Sequence, residues 1–91
     1  MAANYQNITT NATTAIANGA GVLNKIVVNL KSTGASTLKI FDSTLGSGTL
    51  IGTIDQTAQA GTYLYDCTFK NGLTIVTAAA TTAADITVCW Q

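Results

Sequence analysis

Apolar residues recur at every second position through most of this chain, the spacing of strands with one buried face. GVLNKIVVNL (21–30) sets Val22, Ile26, Val28 and Leu30 on one face, and Leu23, Lys25, Val27 and Asn29 on the other. TLKIFD (37–42) points Leu38 and Ile40 inward, with Lys39 and Phe41 outward. TLIGTID (49–55) puts Leu50 and Ile54 on one face, and Gly52 inside it marks a bulge or a close approach. YLYDCTF (63–69) alternates Tyr63, Tyr65, Cys67 and Phe69 against Leu64, Asp66 and Thr68. LTIVT (73–77) follows, and DITVCW (85–90) closes the chain with Ile86, Val88 and Trp90 inward. KSTGAS (31–36), STLGSG (43–48), QTAQAGT (56–62) and AAATTAA (78–84) read as turns and loops between these runs. Asn18-Gly19 is a further turn. Asn71-Gly72, flanked by alternating apolar residues, predicts a hairpin joining 63–69 to 73–77.

Residues 1–20 break this rhythm. They are rich in Asn, Thr and Ala, and they read as a polar arm with one weak edge strand near 12–17, ahead of a β-sandwich domain over 21–91. Each residue fixed in place costs roughly 1–2 kcal/mol of backbone entropy. Residues 1–10 offer little apolar surface to offset that cost, so the arm is expected to lie on a neighbouring subunit, a second copy or a shell. Strand-forming residues are abundant: Thr alone occurs 17 times, while Glu and Arg are absent. The expected fold is all-β, a small antiparallel β-sandwich or flattened barrel of six to seven short strands.

Composition narrows the function. The 91 residues make one domain, and a chain of this size buries only about 60% of its unfolded surface. Hydrophobic residues are 47% of the chain, enough for one thin core. Charged residues are 9%, four Lys against four Asp with a net charge of zero, where about 25% is usual. A surface so poor in charge favours association, and it reads as a surface to be covered by other protein. Four scattered Lys and no Arg argue against a nucleic-acid partner. No apolar run reaches the roughly 18 residues of a membrane span.

MAANYQNITT has neither the basic nor the apolar region of a signal peptide. Cys67 and Cys89 are therefore expected as free thiols in a reducing compartment. The chain has no His. Asp42, Asp55, Asp66 and Asp85 sit at strand ends or on polar faces, where Asp ordinarily forms turns by bonding nearby backbone. No loop carries the oxygen ligands of a Ca²⁺ site, and no glycine pattern forms a phosphate loop. A non-enzymatic protein without cofactor or metal is expected. Tyr63, Tyr65 and Trp90 read as core. Tyr5 lies in a polar arm with nothing local to pack on, and Phe41 falls on the face that carries Lys39, which makes the interface candidates Asn4, Tyr5, Gln6, Asn7 and Ile8 in the arm, with Phe41.

One set of motifs points further. Ile40-Phe41-Asp42, Gly61 with Tyr65, Phe69-Lys70-Asn71-Gly72-Leu73 and Asp85-Ile86-Thr87-Val88-Cys89-Trp90 together resemble small tailed-bacteriophage virion β-sandwich proteins, of the head decoration (cement) type, over residues 22–91. The resemblance implies a homo-oligomer, with a trimer favoured, made in the host cytoplasm and carried on the capsid exterior. Its partner would be the major capsid protein, contacted over about 800 Å² on each side. No site residues carry over, because such proteins act through interfaces. The alternative is a minor tail, head-fibre or receptor-binding module of the virion, whose aromatics and Asn/Thr loops would face a glycan.

Overall fold

A computed structural model describes residues 4–33, 36–55, 60–79 and 82–91. Residues 1–3 of the arm, and residues 34–35, 56–59 and 80–81 within three of the expected loops, lie outside the described residues. The strands are β1 (Asn4–Ile8), β2 (Thr13–Asn18), β3 (Gly21–Leu30), β4 (Ser36–Asp42), β5 (Thr49–Asp55), β6 (Gly61–Phe69), β7 (Gly72–Ala79) and β8 (Asp85–Trp90). They form two four-stranded antiparallel sheets, ordered β1-β8-β3-β6 and β2-β7-β4-β5. Every connection crosses between the sheets except the β4–β5 hairpin. This strand order is that of a jelly roll, two interleaved Greek keys closed face to face.

The layer between the sheets is filled by Leu23, Ile26, Val28, Ile86, Val88 and Phe69 from one side and Leu38, Ile40, Ile54, Leu73 and Ile75 from the other. Tyr63, Tyr65, Cys67 and Trp90 pack against it partly buried, as their alternation requires. Full burial of one such aliphatic side chain contributes about 1.5–3 kcal/mol, and a core one residue thick depends on nearly all of them.

Bulges set the faces of β3 and β5 apart from simple alternation. In β3 the register against β8 shifts at Asn24 and again at Asn29, each an extra residue. The first shift turns Leu23 inward to complete burial, and beyond the second Leu30 at the strand end is exposed. In β5, Ile40 pairs Gly52 and Phe41 pairs Leu50, which leaves Ile51 as the bulged residue. Ile51 therefore packs against the core, and Leu50 faces outward. Gly52 does sit at a close approach: a Cβ there would meet the Tyr65 hydroxyl oxygen at 2.8 Å.

Two expectations are corrected. Asn71-Gly72 does not form a hairpin, since β6 and β7 belong to different sheets. The segment is an arch, and φ of Gly72 is not positive. Its glycine is required by space: a Cβ would lie 2.9 Å from the carbonyl oxygens of both Ala17 and Ser43. The arm is also no separate appendage over its described residues. Asn4–Ile8 is an edge strand on β8, from Asn4↔Trp90 to Ile8↔Ile86, and Ile8 is a core residue at 5% exposure. The weak edge strand expected near 12–17 is β2, on β7.

Candidate functional site

Three chain segments meet where the arches turn. The Asp42 carboxylate, at the end of β4, accepts the backbone N–H groups of Lys70 at 3.0 Å and Asn71 at 2.8 Å. These two bonds favour the ionised carboxylate and hold its pKa below the usual 3.8. The neighbouring Ser43 carbonyl accepts the Thr74 hydroxyl at 2.7 Å. The Gly19 N–H of the β2–β3 arch donates to the Asn71 carbonyl at 3.1 Å, which ties one arch to the other. Asp42 therefore does not form a local turn, as strand-end Asp residues were expected to; it ties the end of β4 to a distant arch at Lys70 and Asn71. The motifs around Phe41-Asp42 and Phe69–Leu73 converge on this corner, and their roles here are structural.

The outer face of the β2-β7-β4-β5 sheet carries an apolar row. One row across it runs Ala15, Thr74, Phe41, Leu50, and the next runs Thr13, Val76, Lys39, Thr53. The 43–48 loop folds back over part of these rows, and a Cβ on Gly46 would lie 3.0 Å from a Thr13 methyl and 3.2 Å from a Val76 methyl. The loop is pinned by the Ser43 hydroxyl, which donates to the Ser47 carbonyl at 2.6 Å. Leu45 at its tip is 68% exposed, Leu50 is 49% exposed and Phe41 is half-buried beside it. Lys39 is the one charged side chain in these two rows.

The outer face of the β1-β8-β3-β6 sheet carries a polar network. Asn7 donates its side-chain amide to Asp85 at 2.6 Å and to the Ile86 carbonyl at 2.8 Å. Asn29 donates to Asp85 at 3.2 Å and to Thr87 at 3.0 Å. This network spans β1, β8 and β3. Beside it lies the row Tyr5, Cys89, Lys25, Leu64, whose ends are the exposed Tyr5 and Leu64.

The expected interface residues therefore do not form one site. Asn4, Tyr5, Gln6, Asn7 and Ile8 lie on one edge of the first sheet, where Asn4 and Tyr5 are exposed, Gln6 is half-buried and Ile8 belongs to the core. Phe41 lies on the outer face of the other sheet. Leu45 and Leu50 were missed beside it. Leu45 carried a legible signal, an apolar residue alone in a Ser/Gly loop, whereas Leu50 was hidden by the bulge at Ile51. Among the described residues no three Cys or Asp side chains cluster as metal ligands would. Both cysteines are free thiols and half-buried, and they flank β3 from opposite neighbours: Cys67 is paired with Leu23, and Cys89 with Lys25. No protein family matches this chain, and no curated protein matches it either.

Proposed function

We propose that this chain is a non-enzymatic structural protein of a virion, which binds the outside of an assembled capsid and stabilises it. The observation that carries the proposal is the outward apolar set Phe41, Leu45 and Leu50, with Lys39 as its only charged neighbour in the adjoining rows. A protein with 9% charged residues and zero net charge has little else to keep such a surface apart from a partner. The motif resemblance supplies the partner class, a major capsid protein. The jelly roll is compatible with it, because double Greek-key sandwiches are frequent in viral capsid domains, although a fold alone does not assign a role. Binding only to the assembled shell would stabilise that state by mass action, and repetition over the lattice would multiply the effect of modest single contacts.

A second reading, a tail, head-fibre or receptor-binding module, has one specific observation in its favour. Tyr5 lies beside the Asn7, Asn29, Asp85 and Thr87 network, and an aromatic next to fixed amide and carboxylate groups suits a glycan. Quantitative mass spectrometry of purified particles separates the two readings. Many copies spread over the shell are expected for decoration. A few copies that co-purify with tails would favour the second reading.

A further inference from the structure

Each sheet of the jelly roll has two edges, and the four edge strands are β1, β6, β2 and β5. Three of them carry a bulge. β2 has Ile16 as an extra residue against β7, between Ala15↔Thr74 and Ala17↔Leu73. β5 has Ile51. β6 sets Tyr65 and Asp66 against Asn24 alone, with Asp66 at φ 54°. Bulges twist an edge away from further pairing and are a common protection against it. β1 has none, and its register on β8 is unbroken from Asn4 to Ile8. It also lacks the charge and proline guards, since NYQNI contains no Lys, no other charge and no Pro. Beyond β8 its backbone has no hydrogen-bond partner among the described residues.

We infer that β1 is a pairing edge, and that its occupant is β1 of a second copy of this chain, antiparallel about a two-fold axis through Gln6. An edge strand's open N–H and C=O groups are satisfied by another extended strand, and this strand is complementary to itself. Self-pairing in that register sets Asn4 against Ile8, Tyr5 against Asn7 and Gln6 against Gln6, with no like charges opposed. The two Tyr5 rings, each 75% exposed in the single chain, become diagonal neighbours on one face, within reach of aromatic side chains. The two polar networks then continue into one eight-stranded sheet. With one unguarded edge per copy, the assembly closes as a dimer, whereas two such edges would give an open fibre. The pairing uses a different surface from Phe41, Leu45 and Leu50, and it stands independently of any capsid. It differs from the trimer that the motif resemblance implied.

The test is done in solution on the full-length chain. Sedimentation equilibrium of the wild type is expected to show a monomer–dimer equilibrium. Tyr5→Asp, on an exposed side chain, is expected to weaken the dimer by about tenfold or more, through like charges and two lost cross-strand pairs, with unchanged melting of the monomer. Gln6→Cys places two thiols on the axis, at a spacing that antiparallel neighbours can bridge. Mild oxidation should give a covalent dimer whose disulfide maps to position 6. A wild type that stays monomeric at high concentration, with no crosslink at position 6, overturns the inference. So does a dimer that is indifferent to Tyr5→Asp and is crosslinked elsewhere.

Discussion

Asp42 and Gly72 make the same corner by different means, and each gives a separate prediction. Asp42 acts through charge, accepting two backbone N–H groups that would otherwise have to find water. Its pKa is lowered by folding, so its contribution is complete above the unfolded value near 3.8 and is lost as pH falls through the lower folded value. Asp42→Asn is therefore expected to melt below the wild type at neutral pH, and the gap should narrow below about pH 4. Melting temperatures at a series of pH values check this, and a gap independent of pH would contradict it. Gly72 acts through space. Gly72→Ala forces a methyl onto two backbone carbonyls that cannot swing aside, and a loss of about 1–3 kcal/mol is expected in urea unfolding. Phe69→Ala, with the largest fully buried side chain, is expected to cost about 3–5 kcal/mol by the same measurement.

β1 shows how an element escapes a reading based on apolar period. NYQNI has one aliphatic residue, so no alternation announces it. It is a strand because β8 offers a complete ladder, because Ile8 enters the core and because Asn7 ties it to Asp85. Ile8→Ala is accordingly expected to destabilise the fold by about 2 kcal/mol. Removing residues 1–8 should lower the melting temperature more than Ile8→Ala does. A truncated protein as stable as the full chain would mean that β1 is an ornament. The inner residues of β6 and β8 were legible because those strands keep strict alternation where it matters. The faces of Leu23 and Leu50 were not: Gly52 marked a bulge or a close approach in β5, but which residue is extra is a relation between two strands that neither sequence shows alone. The Asn71-Gly72 corner failed for a related reason. Asn-Gly signals a sharp change of direction, but which sheet receives the next strand is decided by pairings far away in the chain.

As a whole, the molecule measures 33 × 26 × 17 Å, a thin sandwich with two unlike outer faces. One face carries a polar network with the exposed Tyr5 and Leu64 beside it, and the other carries Leu45 and Leu50 beside Phe41. Its class was legible from period and composition. Its candidate contact surface was legible only in part, through Phe41 and Tyr5, since Leu45, Leu50 and Leu64 gain meaning only once the sheets assign them to a face. Cys67 turns toward the core and Cys89 toward the polar face, so no intramolecular disulfide is expected. Intact mass before and after reduction should be identical. The most direct test of the proposed role is add-back to capsids lacking this chain, comparing wild type with Leu45→Asp/Leu50→Asp. The wild type is expected to bind shells at many sites and to raise their resistance to heat, and the doubly substituted protein to stay folded but unbound. Shells that never take up the wild type, or that take up both proteins equally, would contradict a decorating role through this face.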